Sequence, residues 1–324
     1  MRPSPPPAER ARNPRLGYAL AASAAALWAL NGSLARFLLD DGVSALRLAQ
    51  LRSLVAWAIL VACLALVRPQ LLRIDRRDIP RFAFLGIAGL ALVHALYFVA
   101  IDHVKIGVAL VIQYLAPLLV LLWLRFVHGR RLRPSLWLAA ALSVGGCFLI
   151  VEAWDVGALD GVGLAAAFGS AVTFAVYLVS SERTGHTYTP FTTMAWAFGF
   201  ASLFWAVAQP LWDFPLDKFS SPGDVLLGLG VAIVGTLVPF VLMVEALRHI
   251  PASRAAVVAT LEPVLAAVIA WIVHGEVLEA VQIAGGMVVV AAVVWVQSQR
   301  TSLESEALPA HPSTSAATQH AARV

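Results

Sequence analysis

Residues 109–132 read ALVIQYLAPLLVLLWLRFVHGRRL, and residues 255–278 read AAVVATLEPVLAAVIAWIVHGEVL. Laid over each other at an offset of 146, they match Pro117 with Pro263, His128-Gly129 with His274-Gly275 and Leu132 with Leu278. The same offset, with no gap, carries Gly17 to Gly163, Asp78 to Asp224, Gly89 to Gly235, Ala100 to Ala246 and His103 to His249. The chain is therefore read as a duplication. Each copy holds five apolar spans, and five is odd, so the second copy must enter a bilayer upside down relative to the first. Inverted repeats of this kind are a signature of alternating-access carriers.

The spans lie near 16–37, 46–67, 80–101, 104–127, 134–153, 161–182, 190–211, 223–246, 251–273 and 280–298. Each is roughly 20 residues, the length a helix needs to cross hydrocarbon. None alternates with period two, and a helix satisfies its own backbone in lipid, so the expected fold is an all-α polytopic membrane protein of ten transmembrane helices. The bulk numbers agree. Of 324 residues 60% are hydrophobic and only 13% charged, with a mean hydropathy of +0.80. A multi-domain soluble protein is excluded by that composition. The expected organisation is a polar tail at 1–15, one five-helix repeat at 16–153, its copy at 161–298 and a second polar tail at 299–324, both tails disordered. The repeat also argues against reading the first span as a cleaved leader, because it has a counterpart after Val162.

Net charge is +4. It does not point to nucleic acid, because the arginines cluster in short connectors without aromatic interleaving. They set orientation instead. With the N-terminus inside, 18 of the 23 Lys and Arg fall on inner segments, and Arg36, Arg47 and Arg52 lie in or near spans. The outer connectors hold only Lys105 and Lys218. This bias places both termini in the cytoplasm. Cys63 and Cys147 lie inside spans with no partner at metal-ligand spacing, so no metal or other cofactor is expected.

The ordered motifs resemble a known family. The stretch from Glu245 to Val296 carries Glu262-Pro263, Gly275-Glu276 and Gly285-Gly286 in succession. The first half carries Trp28, Arg52 and Tyr114-Leu115-Ala116-Pro117 within a matching run from Ala109 to Gly146. Together they look like the two EamA-type repeats of the drug/metabolite transporter superfamily. Two positions depart from that pattern: Gly129-Arg130 stands where Gly-Glu is usual, and Glu262 has Ala116 as its first-half partner. The resemblance implies a carrier of small metabolites, often an exporter of amino acids or related compounds. It also implies a central cavity among spans 1, 3, 4, 6, 8 and 9, with spans 5 and 10 at the periphery. Those two outer spans can face lipid or a second copy, which leaves a homodimer open.

Pro117 and Pro263 remove a backbone N–H in mid-span and free the carbonyls of Gln113 and Ala259; Pro239 does the same to Gly235. Such carbonyls are tolerated beside protein or a wet cavity, so the two proline sites are read as hinges or as structural kinks. Gln113 and Tyr114 flank the first. His94 and Tyr97 share a face of span 3, while their counterparts Phe240 and Met243 are apolar. One polar-aromatic wall facing an apolar one suits an amphipathic solute. Glu262 sits near the middle of span 9, where a carboxylate is costly and points inward. It is read as a ligand for a substrate ammonium, a proton site, or a structural partner of Arg254, Thr260 or a helix end. Arg52 is read as a snorkelling or carbonyl-bonding group, or as a substrate carboxylate partner. Trp28 and the repeat partners Asn31 and Tyr177 complete the expected cavity residues. Two other classes remain in view. One is a membrane-embedded lipid-modifying enzyme, for which only His103 with Asp102 and His128 with Arg130-Arg131 offer clusters. The other is a non-transporting membrane partner protein.

Overall fold

The computed structural model describes residues 13–154, 160–274 and 277–299. Among them run ten apolar helices: α1 (Pro14–Asp40), α2 (Ala45–Val67), α3 (Arg76–His103), α4 (Ile106–Phe126), α5 (Pro134–Ile150), α6 (Gly161–Gly185), α7 (Pro190–Ala208), α8 (Pro222–Ala246), α9 (Ala252–Val273) and α10 (Ala280–Ser298). Most of the two tails and the Gly275-Glu276 motif lie outside the described residues.

The helix starts are written locally. Pro14, Pro134, Pro190 and Pro222 occupy first-turn positions, where a missing N–H costs nothing. Asn13, Ser44, Asp160, Thr189 and Ser221 accept hydrogen bonds from the first turns of α1, α2, α6, α7 and α8. Asp160 accepts from the Val162 and Gly163 N–H groups, which hold its carboxyl below the usual carboxylate range. Beyond the caps the helices are apolar on nearly all sides, as helices in lipid must be. Phe126, Val207 and Ile272 show the lipid-facing belt: all are apolar and exposed.

Packing obeys the duplication. α1 packs on α8 and α9, and its counterpart α6 packs on α3 and α4; α2 pairs with α7, and α5 with α10. The two-fold relation reaches single atoms. A Cβ added at Gly17 would lie 2.8 Å from the His249 Cβ, and one at Gly163 would lie 2.7 Å from the His103 Cβ. Each is a helix crossing too close for any residue but glycine. The two histidines also meet the caps of the helices they cross: the Asn13 N–H donates to His249 Nδ1 at 3.3 Å, and His103 Nδ1 lies 3.3 Å from Asp160 Oδ2. Two copies of one five-helix unit thus face each other in opposite orientation.

The broken helices repeat as well. α4 stops at Gln113 and restarts at Ala116, and α9 stops at Ala259 and restarts at Leu261. These are the places where Pro117 and Pro263 withdraw their N–H groups. α3 and α8 carry π-helical turns at Leu85–Ala91 and Ile233–Leu237, each containing one of the paired glycines Gly89 and Gly235.

Candidate functional site

The two halves that precede the breaks in α4 and α9 are related by sequence but not by environment. All eight residues of Ala252–Ala259 are buried. In Ile106–Gln113 only Val108 and Ala109 are. The first half of α9 is therefore packed shut against its neighbours, while that of α4 borders open space. A cavity of about 600 Å³ occupies that space and reaches the surface past Leu39, Ile106, Val151 and Val277. All four lie at the same end of the bundle, and Leu39, Ile106 and Val277 are exposed.

The opposite end is closed by polar contacts. Arg254 is fully buried. Its Nη1, with two hydrogens to share, lies 2.8 Å from the Tyr18 hydroxyl, 2.8 Å from the Val296 carbonyl and 2.9 Å from the Gln299 carbonyl, tying α9 to α1 and α10. The Tyr18 hydroxyl also donates to the Val296 carbonyl at 3.2 Å. Nearby the Ala252 N–H donates to Glu182 Oε2 at 3.0 Å, joining α9 to α6. The repeat counterparts of Arg254 and Tyr18 at the open end are Val108 and Leu164. The closed end thus has a buried polar latch whose counterpart positions at the open end are apolar.

Among the sequence-derived candidates, Trp28, Asn31, His94, Tyr97, Gln113, Tyr114, Glu262 and Pro263 all line the cavity. Two candidates do not. Pro117 is buried behind the wall. Tyr177 is fully buried and is not among the residues lining this cavity. Its ring stacks on Phe174 at 6.0 Å and meets the Phe240 edge at 5.2 Å, so these two phenylalanines take the cavity-facing places. The pairing of Asn31 with Tyr177 is nonetheless real: Asn31 presses on Gly235 of the second copy and Tyr177 on Gly89 of the first. The positions are equivalent, but the space beside them is not.

Arg52, on α2, also lines the cavity. Its Nε donates to Thr236 Oγ1 at 2.9 Å, and its Nη2 lies 3.5 Å from the Gly235 carbonyl. Gly235 is the residue whose carbonyl Pro239 leaves without a helical donor. The Thr236 hydroxyl in turn donates to the Val231 carbonyl at 2.9 Å, satisfying the π-turn from within. The arginine is thus fixed by the irregularity in α8 while its guanidinium borders the cavity. His94 is fixed too: its Nδ1 lies 2.8 Å from the Leu90 carbonyl. Among the described residues Glu262 has no hydrogen-bond or ion-pair partner, and Arg254 is committed to the latch instead. The Trp28 Nε1 and Asn31 Oδ1 atoms are buried without a partner.

The lining is lopsided across the two-fold. Trp28, Asn31, Arg52, His94, Tyr97, Gln113 and Tyr114 all come from the first copy. Their counterparts are Phe174, Tyr177, Phe198, Phe240, Met243, Ala259 and Thr260. Glu262 is the reverse case, facing Ala116 in the alignment of copies. Trp28 meets Phe240 and Phe174 edge-on at 5.2 and 6.1 Å, so an aromatic corner joins the polar wall to the apolar one. The histidine clusters are scattered: His103 sits at the open end beside Asp160, and His128 follows α4 at the other end, against Arg183. Phe174, Gln282 and the Arg254 latch carry no motif that singles them out in the sequence. The one available signal was an arginine, Arg254, inside an apolar span.

Comparison with known proteins places this architecture. The model of the EamA-like transporter family matches residues 15–152 and 161–297. The threonine/homoserine exporter RhtA of Escherichia coli K12 is 29% identical over 256 residues, covering 78% of this chain and 79% of that one. An uncharacterized transporter of Archaeoglobus fulgidus is 28% identical over 200 residues, covering 62% and 70%. One solved crystal structure shares the fold with a TM-score of 0.72 at 19% identity, covering 90% of this chain and 98% of that one. With two family repeats matched across nearly all the described residues, the chain belongs to the EamA-like transporter family.

Proposed function

We propose that this protein is a secondary carrier that exports small organic metabolites, amino acids or related compounds, across a bacterial inner membrane by alternating access. One observation carries the reading: a central cavity lies between inverted copies, open at one end and latched at the other. Inverted copies let one packing interconvert with its mirror role, so the closed end can open as the open end closes. The first halves of α4 and α9 are the gates, and the breaks at Pro117 and Pro263 are the hinges. Both termini lie in the cytoplasm, as the arginine distribution requires, so the state described here faces outward. Export then means loading when the Arg254 latch is released and unloading past Leu39 and Ile106. The relative RhtA, a threonine/homoserine exporter 29% identical to this chain, supports an amino-acid-like cargo. Flux of labelled amino acids and amines into and out of liposomes bearing the purified protein tests this. Saturable flux of at least one solute is expected; no saturable flux across a broad panel would overturn the carrier reading.

A further inference from the structure

We propose that a basic pocket at the latched end of the bundle holds the phosphate of an anionic membrane phospholipid, with Arg183 and Arg81 as its ligands and Phe84 beside its acyl chain. The site lies outside the central cavity and is independent of the cargo. The pocket, about 460 Å³, lies between the start of α3, the end of α6 and the connector that follows α6. Asp78, Arg81 and Phe84 line it from α3, Arg183 from α6, and Thr187 and Tyr188 from the connector.

The charge balance of this lining is positive. Its carboxylate is already answered twice: Asp78 Oδ1 accepts from Arg81 Nη1 at 2.7 Å, and Oδ2 accepts from the Tyr188 hydroxyl at 2.6 Å. Arg183 meets a neutral partner instead. Its Nη2 lies against His128 Nε2, just past the end of α4. Burial, then Arg183 and Arg130, hold the His128 ring below its ordinary pKa, so the imidazole accepts from Arg183 and cancels none of its charge. Helix dipoles leave that balance alone, because α3 begins and α6 ends at the pocket and the two ends oppose each other. Arg81 spends one nitrogen on Asp78 and its side chain is 73% exposed, so further donors of its guanidinium are available.

A guanidinium fork matches two oxygens of a phosphate. Basic pockets between membrane helices on the cytoplasmic side suit anionic headgroups, and the arginine distribution assigns this end to the cytoplasm. Phe84 favours a lipid over a soluble phosphate. It lies one helical turn deeper than Arg81, lines the pocket and is 54% exposed, so a diester seated on the arginines would lay its chain over that ring.

The fold does not ask for these charges. Asp78 and its counterpart Asp224 stand at the first turns of α3 and α8 in both copies. At the opposite end, however, Leu227 replaces Arg81, Phe37 replaces Arg183 and Asp40 replaces His186. One five-helix unit is thus built with the basic pocket on one face of the membrane and without its cations on the other.

The test is the thermal midpoint of the purified full-length protein in neutral-detergent micelles carrying dioleoyl phosphatidylglycerol, dioleoyl phosphatidylcholine, or inorganic phosphate at the same total phosphate. Phosphatidylglycerol should raise the midpoint saturably, and the other two should not. Arg183→Gln should raise the phosphatidylglycerol needed for half the effect by ~5-fold, the loss of one arginine's attraction at a membrane surface. Thr187→Glu puts a carboxylate into the pocket from an exposed position, so it should abolish the response while the lipid-free midpoint stays at the wild-type value. This variant decides the matter if Arg183→Gln does not fold. Arg68→Gln, at the exposed end of α2 and outside the pocket, should respond as the wild type does. Equal stabilisation by phosphatidylcholine or by inorganic phosphate, a Thr187→Glu variant that still responds, or an Arg68→Gln loss as large as that of Arg183→Gln would overturn the assignment.

Discussion

Arg254→Met removes the latch that closes one end of the bundle. In the wild type one buried nitrogen holds the Tyr18 hydroxyl and the carbonyls of Val296 and Gln299. After truncation the Val296 carbonyl keeps the Tyr18 donor, but the Gln299 carbonyl loses the arginine. Hydrogen bonds from a charged donor contribute about 1.5–3 kcal/mol each, and the Gln299 carbonyl is only partly buried, so partial compensation leaves roughly 2–4 kcal/mol against the closed end. That is a factor of about 30 to about 1,000 in the balance between the two faces. The assay is the rate at which a membrane-impermeant maleimide modifies Ala35→Cys, a cavity-lining position on α1, in a background of Cys63→Ser and Cys147→Ala. Arg254→Met should slow modification from the open side, by as much as that factor where the two faces are near balance in the wild type. Tyr18→Phe, which removes one donor and one acceptor, should slow it less. An unchanged rate in a variant that melts with the wild type would refute the latch.

Other consequences follow from single contacts. A Cβ at Gly146 would lie 2.7 Å from the Gly285 carbonyl oxygen, so Gly146→Val should prise α5 from α10, cost about 1–3 kcal/mol, and lower the thermal midpoint in detergent. Asp160 has a lowered native pKa, so its cap stabilises above the unfolded carboxyl pKa and fades as the pH falls through the native one. Asp160→Ala should therefore lower the midpoint at pH 7, and the gap to wild type should close on acidification; a gap independent of pH would remove the capping explanation. Pro263→Ala lets the Ala259 carbonyl regain a helical donor and straightens α9. Reconstituted flux should drop while ligand-induced stabilisation persists, and equal loss of both would argue against a hinge.

Much of this was legible in the residues. The offset of 146 located the repeat, and the mid-span prolines located the breaks at Gln113 and Ala259. Most of the polar lining followed, because a polar group in an apolar span needs somewhere to point. What was not legible is helical phase and state. Spans apolar on every side carry little signal for which face turns inward. Arg52 therefore stood between snorkelling and binding, and the structure shows it braced by α8 at the cavity edge. The repeat makes Tyr177 equivalent to Asn31, but Tyr177 is fully buried while Asn31 lines the cavity. Arg254, counted by charge among the inner connectors, is a buried member of α9, since a count of positive residues says nothing about depth.

The central claim is that the two copies exchange roles, and a pair of repeat-related positions reads it directly. Ala35 lines the open cavity, and its counterpart Ser181 is fully buried at the latched end. Single cysteines at each, probed with impermeant maleimide from either side of oriented membranes, should behave as opposites. Without ligand Ala35→Cys should label from one side and Ser181→Cys should resist; as a transported solute is added, Ala35 should become protected and Ser181 should label from the other side. Labelling of both positions from the same side, or a Ser181→Cys that stays inert while Ala35 becomes protected, would contradict the account.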